Sequence, residues 1–388
     1  MSYDFNKAVN RYGTYSIKYD PVSRGKPEDV LPMWVADMDF PAPSCVTDAL
    51  ARHCAFGIFG YSEPDAEYFE VVRNWFLQRF SWRVNREWIT ITPGVVNAIY
   101  VAVRALTSAG DGVVIQQPVY YPFESAVRHT GRNLLVNQLI YENGRYSIDF
   151  EDFESKIKQA KLFILCSPHN PVGRVWTREE LIRMGEICLR HKVSVIADEI
   201  WQDFIYPNHQ HFVFASLAPE FSDIAVTATS PSKTFNLAGL QYANIFISNE
   251  TMQSKFKREY AACGLSQPSL MGIVSCKAAY EHGVQWLEEL LVYLAGNMSL
   301  IYDYLKKNVP KVKAVKAEGT YLAWLDCSEF ELPPQKLDEI ITHKAKLWLN
   351  DGTIFGAGGA GFQRINAACP CEVLRGALSR FETAFKEC

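Results

Sequence analysis

The stretch LFILCSPHNPVGRVWTREELIRMGEICLRHKVSVIADEI at residues 162–200 contains two apolar runs separated by one helical segment. The runs LFILCS (162–167) and SVIADEI (194–200) have the β-branched, apolar character of buried strands. The residues between them have helical spacing, and Thr177 with Glu180 forms the signature of a capping box. Strand, helix and strand in this order predict a crossover unit with two parallel strands.

Further strand-like runs lie on both sides of this unit. They are GVVIQQP (112–118), IAVTATS (224–230) and NIFIS (244–248). Their alternation with helical stretches, from about Trp88 to Asn249, predicts an α/β protein with a mainly parallel central sheet flanked by helices.

The pattern changes after Pro268, where helices predominate. The predicted elements there are a helical block (269–308), the strand-like TYLAWLDC (320–327), a helix near 335–343 and a last amphipathic helix from about Cys371 to Lys386. We therefore expect a large domain formed by residues 40–280 and a smaller α+β domain formed by 1–39 and 281–388. A cleft between two domains is the default position of a binding site.

The composition excludes several classes of protein. Of 388 residues, 48% are hydrophobic and 21% are charged, as in globular chains with a large core. A net charge of −4 provides no basic surface for nucleic acid or acidic membranes. The most apolar long window, Trp88–Val103, contains Thr, Pro and Asn and falls short of a membrane span.

The cysteines and the first residues bear on the cellular compartment. The ten cysteines are scattered without paired spacing, so we expect them to be reduced. The first residues, MSYDFNKAVNRYG, are charged where a secretory signal has its apolar core. We therefore expect a cytoplasmic protein.

Motifs of several other enzyme classes are missing from the sequence. There is no HExxH, no P-loop and no GxSxG, and the CPC sequence at 369–371 has no second cysteine pair for zinc. A GxGxxG pattern at Gly356, Gly358 and Gly361 is followed by the strand-like FQRIN rather than by a helix. We interpret it as a glycine loop, and we expect neither a metal nor a dinucleotide site.

Polar side chains follow three of the predicted strands. They are Asn170 in SPHNPVGR, Asp198 in IADEI and Lys233 in TSPSKTFN. Open α/β sheets bind ligands at the carboxyl ends of their strands, so we expect these residues to converge. A lysine flanked by Ser230, Ser232 and Thr234, whose hydroxyls can bind phosphate, suits Schiff-base chemistry, although an ordinary surface lysine is the alternative.

Two further segments contain groups that could bind anions. In TPGVVNAI the amides of Gly94, Val95 and Val96 begin a helix, where an anion is favoured; a plain helix start is the alternative. In GFQRINAACP, Arg364 lies in an apolar strand, where a guanidinium needs a carboxylate partner. That partner could belong to a substrate or to a buried structural ion pair.

Together these motifs resemble fold-type I pyridoxal-phosphate enzymes of the class I/II aminotransferase superfamily, and more closely the MalY/PatB branch of cystathionine β-lyases, also called cysteine-S-conjugate β-lyases. The ordered set NPxGR, DE and SxSKxFN is typical of the superfamily, whereas MWxADMDF and PHNPVGR favour the branch. The similarity covers nearly the whole chain. Its segments are LPMWVADMDF (31–40), FGYSEP (59–64), PGVVNAI (93–99), PVYYPF (118–123), CSPHNPVGRVW (166–176), ADEIWQDFIY (197–206), SPSKTFNLAGLQ (230–241), EGTYLAWLDC (318–327) and GFQRINAACP (361–370).

The resemblance implies pyridoxal 5'-phosphate as cofactor and a role for each matching residue. Lys233 would bind the cofactor covalently and move the substrate Cα proton, and Asp198 would pair with the pyridine nitrogen. Asn170 would contact the phenolic oxygen of the ring and the substrate, and Tyr120 would stack on the ring. The phosphate would be held by Gly94, Val95, Val96, Ser230 and Ser232.

The resemblance also implies a substrate site and an assembly. Arg364 would bind the substrate α-carboxylate, helped by the backbone near Val35 and Ala36. Tyr61 would reach the phosphate in the neighbouring subunit of a homodimer.

The implied reaction is β-elimination from L-cystathionine or related cysteine S-conjugates to a thiol, pyruvate and ammonia. An aminotransferase for an apolar or aromatic amino acid is the runner-up, because the same residues serve both reactions. Two positions depart from the aminotransferase pattern, with Trp201 in place of a tyrosine and Gln241 in place of a phosphate-binding arginine. A nucleotide-dependent dehydrogenase and a catalytically idle binding protein are alternatives from other classes.

Overall fold

A seven-stranded sheet forms the centre of the larger part of the molecule. The computed structural model describes residues 3–386, so Cys388 lies outside the described residues. The strands are β1 Leu31–Pro32, β2 Ile89–Thr92, β3 Gly112–Gln117, β4 Asn133–Gln138, β5 Ile140–Glu142, β6 Arg145–Ser147, β7 Ala160–Cys166, β8 Ser194–Asp198, β9 Ala225–Thr229, β10 Ala243–Phe246, β11 Lys313–Val315, β12 Leu322–Asp326, β13 Leu347–Trp348, β14 Asn350–Asp351 and β15 Phe362–Asn366.

Helices cover the sheet and build most of the rest of the molecule. They are α1 Ser44–Phe56, α2 Ala66–Phe80, α3 Val95–Leu106, α4 Pro122–His129, α5 Phe150–Ile157, α6 Arg178–Arg190, α7 Pro219–Ile224, α8 Pro231–Thr234, α9 Glu250–Ala262, α10 Leu270–His282, α11 Val284–Asn308, α12 Pro334–Glu339 and α13 Cys371–Lys386. A π-helical turn, Ile340–Lys344, follows α12.

The large sheet has the order β2-β10-β9-β8-β7-β3-β4. Neighbouring strands are parallel except at β10, which is antiparallel to both β2 and β9. The predicted mainly parallel α/β fold is therefore confirmed. The sheet brings the carboxyl ends of β7, β8 and β9 together at one edge, as the site prediction requires.

The crossover helix α6 shows how local sequence fixes this arrangement. The Thr177 hydroxyl accepts a hydrogen bond from the Glu180 amide (3.2 Å), and the Glu180 carboxylate accepts one from the Thr177 amide (2.8 Å), so the predicted capping box is present. Arg174, which is buried, pairs with both Glu180 and Glu318 at 2.8 Å. The loop that carries Asn170 is thereby tied to the smaller part of the molecule.

The smaller part is built on a four-stranded sheet of order β11-β12-β15-β14. Its core includes Ile301 and Leu305 of α11 and Leu374 of α13. The first half of α11 instead packs into the core of the large sheet, for example through Trp286. The expected boundaries at residues 39/40 and 280/281 stay a prediction.

Residues 3–386 contain neither a candidate membrane-spanning helix nor a candidate metal site. None of the helices there combines the length and the apolar character that a membrane span needs. The same residues contain no group of three His, Cys, Asp or Glu side chains placed to hold a metal ion.

Candidate active site

A cavity of about 480 Å³ opens at the carboxyl ends of the parallel strands. Its walls come from the large sheet, from β15 and from the segment that follows β1. All predicted site residues except Tyr61 line it. They are Val35, Ala36, Gly94, Val95, Val96, Tyr120, Asn170, Asp198, Ser230, Ser232, Lys233 and Arg364.

Lys233 lies in the short helix α8, directly after β9. Its Nζ donates a hydrogen bond to the Ala36 carbonyl (2.8 Å) and lies 5.5 Å from the centre of the Trp201 ring. Burial lowers the pKa of this amine to about 8, although the negative charge of Asp37 partly opposes the shift. A neutral amine, which is needed for nucleophilic attack or proton removal, is therefore accessible near neutral pH.

Asp198 ends β8 and is almost completely buried. One of its oxygens accepts a hydrogen bond from the Ile200 amide (3.2 Å). Burial raises the pKa of this carboxyl to about 7, and the charge of Lys233 acts in the opposite direction. An additional cation or N–H donor in the cavity would therefore stabilise the carboxylate.

Arg364 projects from β15 into the same cavity. It donates hydrogen bonds to Asn170 Oδ1 (2.8 Å), the Trp34 carbonyl (2.8 Å) and Asn350 Oδ1 (2.5 Å). All three acceptors are neutral, and within residues 3–386 the guanidinium has no carboxylate partner, while its Nε has no hydrogen-bond partner. The structural ion pair considered from the sequence is thus not found, and a buried cation is left for an anion from solution.

Burial also lowers the pKa of Arg364, to about 10, so the guanidinium stays charged at neutral pH. Its contact with Asn170 fixes the orientation of that amide, because arginine can only donate. The Asn170 carbonyl accepts from Arg364, and the amide NH₂ of Asn170 can donate to another group.

The start of α3 forms the candidate anion site. Gly94, with φ +91°, precedes the first helical residues Val95 and Val96, whose amides lack partners inside the helix. A Cβ atom on Gly94 would lie 3.5 Å from Gln241 Oε1. The side-chain oxygen Oδ1 of Asn97 is buried without a hydrogen-bond partner among residues 3–386.

The two serines beside Lys233 differ in their hydrogen bonding. The Ser230 hydroxyl donates to the Tyr242 carbonyl (2.6 Å) and accepts from the Ser232 amide (3.0 Å), so it caps α8. Its proton is therefore already engaged within the protein. Ser232 lines the cavity, and both predicted phosphate contacts stay predictions.

The two departures from the aminotransferase pattern both line the cavity. Trp201 is buried and meets the Tyr321 ring edge to face at 4.7 Å. Gln241 adopts a left-handed conformation, with φ +50°, and its side chain donates to the Ala238 carbonyl (2.8 Å). Tyr120 presents its ring to the cavity, and burial raises the pKa of its hydroxyl.

Sequence reasoning missed the contacts that hold residues 33–39, which we call the strap. Asn366 donates to the carbonyls of Val35 and Asp37, both at 2.7 Å. The Tyr321 hydroxyl donates to the Ala36 carbonyl (2.9 Å), which also accepts from Lys233. The sequence resemblance had pointed to Val35 and Ala36 in this segment, but no local pattern indicated the residues that hold it in place.

Salt bridges fasten the other side of the strap. Arg11 pairs with Asp37 (2.5 Å) and with Asp39 (2.7 Å), and buried Lys18 also pairs with Asp39 (2.8 Å). Trp34 and Asn350, which line the cavity and contact Arg364, were not predicted either. They belong to segments that fold together only in the tertiary structure.

Tyr61 lies outside this cavity and its side chain is 95% exposed. The glycine loop at Gly356 has a packing role, because a Cβ atom there would lie 2.2 Å from the Gln117 side chain. Nothing in this loop forms a helix start, as dinucleotide binding would require.

The chain belongs to the class I and II aminotransferases, since residues 28–381 match the family model "Aminotransferase class I and II". It is 44% identical over 384 residues to the cystathionine β-lyase PatB of Bacillus subtilis (strain 168), covering 98% of this chain and 99% of that protein. It is 32% identical over 373 residues to protein MalY of Escherichia coli (strain K12), covering 95% of each. The crystal structure of cystalysin from Treponema denticola, which contains pyridoxal 5'-phosphate, matches with a TM-score of 0.97 and 36% identity over 100% of both chains.

Proposed function

We propose that this protein is a pyridoxal-phosphate-dependent carbon–sulfur β-lyase that cleaves L-cystathionine or related cysteine S-conjugates. The observation that carries the proposal is the grouping around one cavity of a half-buried lysine, a buried carboxyl and an arginine that has no carboxylate partner within residues 3–386. Similarity to the PatB lyase over nearly the whole chain supports this choice of reaction.

The residues present fit the cofactor. Asp198, whose pKa is raised by burial, gains a partner when a protonated ring nitrogen lies beside it. The amides of Val95 and Val96 at the start of α3, which lack partners inside the helix, offer donors for a phosphate. When bound, pyridoxal phosphate supplies an electron sink for the pair left on the substrate Cα.

Each side chain around the cavity then has a separate role in the reaction. Arg364 binds the α-carboxylate of the substrate. Asn170, whose side chain is oriented by Arg364, would donate a hydrogen bond to the phenolic oxygen of the cofactor ring. Lys233 in its neutral form takes the Cα proton, and the Ala36 carbonyl accepts a hydrogen bond from the resulting ammonium. The loss of a thiolate from Cβ follows, and hydrolysis of the product gives pyruvate and ammonia.

We further propose a homodimer in which Tyr61 reaches the neighbouring site. Support comes from a run of exposed apolar side chains on the segment that carries Tyr61. Phe56, Ile58 and Phe59 are each more than 60% exposed. The cytoplasmic location expected from the sequence stays a prediction, which cell fractionation would test.

The visible spectrum of the purified protein tests the reaction. L-cystathionine is added without a keto acid, and we expect the yellow band to persist while thiol and pyruvate accumulate over many turnovers. A single stoichiometric bleaching that reverses only with a keto acid would instead identify an aminotransferase. No yellow band after addition of pyridoxal phosphate would contradict the cofactor assignment.

A further inference from the structure

A second cavity, of about 500 Å³, lies against the ends of α2 and α6 and the segment that follows β8. Polar side chains line much of it. They include Arg79, Arg178, Gln202, Asp203, His209 and His211. None of these residues lines the candidate active site.

The cavity has an excess of hydrogen-bond donors. Within residues 3–386, Arg178 has neither a salt bridge nor a side-chain hydrogen bond. Arg79 uses its Nε for Asp203 (2.7 Å), which leaves its two terminal amino groups for another acceptor. Asp203 is the one carboxylate among the described lining residues, and both of its oxygens already have partners.

Buried atoms in the cavity wall also lack partners. Gln202 Oε1 and His211 Nδ1 form no hydrogen bond within the described part of the chain. The other ring nitrogen of His211 lies 3.1 Å from the Glu199 carboxylate. An amide such as Gln202 can turn either its oxygen or its NH₂ toward a bound group.

Two short connections join this wall to the active site. The Thr234 hydroxyl donates to Asp203 (2.8 Å), and Thr234 directly follows Lys233. Glu199, which contacts His211, directly follows Asp198. The chain neighbours of both catalytic residues are thus held by groups in the wall of the second cavity.

We propose that this cavity is a regulatory site for a small oxyanion, a phosphate or carboxylate group bound by Arg178 together with Arg79. Guanidinium groups suit such ligands because their N–H groups match the spacing of the oxygens. An oxyanion bound to the terminal amino groups of Arg79 shifts this guanidinium, whose Nε donates to Asp203. It thereby alters the Asp203–Thr234 hydrogen bond beside Lys233.

Calorimetry on the cofactor-loaded enzyme tests binding directly. Inorganic phosphate and succinate are titrated separately, with ionic strength held constant by sodium chloride. The loaded enzyme is used so that the cofactor's own phosphate occupies the site at α3. We expect saturable heat with one ion per chain, and binding about tenfold weaker or worse in Arg178→Gln.

Arg183→Gln is the matched control, because Arg183 lies on the same helix but stacks on the Phe150 ring at 4.0 Å. The Arg183→Gln variant should bind phosphate and succinate with the same affinity as the unaltered protein. Absence of saturable heat for both ions would overturn the proposal, and so would binding that Arg178→Gln leaves unchanged.

A second experiment measures enzyme activity, and it tests whether binding at the second cavity affects Lys233. The value of kcat/KM should change with phosphate or succinate at the same midpoint as the heat, and Arg178→Gln should abolish that change. Binding without any change in activity would reject the regulatory role. Because the heat does not depend on turnover, failure of the lyase assignment would leave the binding test intact.

Discussion

The Lys233 amine is buried beside Asp198 and Arg364, and burial lowers its pKa to about 8, against about 10.4 for an ordinary lysine. The amine is protonated below this pKa and neutral above it. Its reactivity toward an acylating reagent should therefore rise between about pH 7 and pH 9 in the protein freed of cofactor. Mass spectrometry of the peptide that contains Lys233 measures this rise.

The negative charge of Asp37 raises the same pKa, so Asp37→Asn should move the midpoint of labelling to lower pH. Lys233→Ala provides the blank for the peptide assignment. A midpoint near 10 in the unaltered protein would contradict the burial argument.

Arg364 makes three hydrogen bonds that a lysine cannot reproduce. We predict that Arg364→Lys lowers kcat/KM for L-cystathionine by about 10–100-fold, mostly through KM, while the cofactor content stays the same. Steady-state kinetics and the visible spectrum measure the two effects. An S-conjugate of cysteamine lacks the α-carboxylate, so the preference of the enzyme for L-cystathionine over this compound should be smaller in Arg364→Lys. An unchanged preference would mean that the α-carboxylate binds to a residue other than Arg364.

At the scale of elements, the start of α3 depends on the backbone conformation of Gly94. We predict that Gly94→Ala weakens binding of pyridoxal phosphate about tenfold or more, because an alanine at φ +91° shifts the amides of Val95 and Val96. Fluorescence titration of the cofactor-free variant measures the affinity.

Gly110→Ala is the control for backbone strain. Gly110 also has a positive φ, +85°, and a Cβ atom there would meet nothing within 4 Å. The Gly110→Ala variant should lower the free energy of unfolding about as much as Gly94→Ala does, but it should leave the affinity for the cofactor unchanged. Equal losses of affinity in both variants would indicate general destabilisation.

Local sequence patterns predicted most of the helices and strands that form the site. Thr177 and Glu180 indicate the start of α6, and the β-branched runs place Asn170, Asp198 and Lys233 at or just after the ends of strands. The direction of β10 did not follow from its residues, because NIFIS is equally compatible with a parallel or an antiparallel neighbour. Pairing partners, which local periodicity does not encode, decide it.

At the scale of the whole molecule, the site depends on contacts between segments far apart in the sequence. Arg364 meets Trp34 across 330 positions, and Asn366 meets Val35 across 331. Such contacts need the complete tertiary structure. The sequence therefore located the groups on the large sheet but not Asn350, Tyr321 or the fastening of the strap.

The proposed dimer predicts complementation between two impaired variants. Lys233→Ala lacks the base, and Tyr61→Phe lacks a hydroxyl that would act in the neighbouring subunit. Mixed dimers of the two contain one intact site, so refolding an equal mixture should restore about a quarter of the normal activity. Light scattering checks the oligomeric state, and no recovery from a mixture of verified dimers would place Tyr61 outside the neighbouring site.

Residues of the cofactor site are synthesised before the residues that fasten the strap and bind the amino-acid substrate. The residues proposed to hold the cofactor within one subunit lie between Gly94 and Lys233, whereas Arg364 and Asn366 follow more than a hundred residues later. At ribosomal rates of about 5–20 residues per second, synthesis of the intervening chain takes roughly 6 to 26 seconds. The nascent chain thus contains its cofactor cradle well before it can fasten residues 33–39 or bind an amino acid.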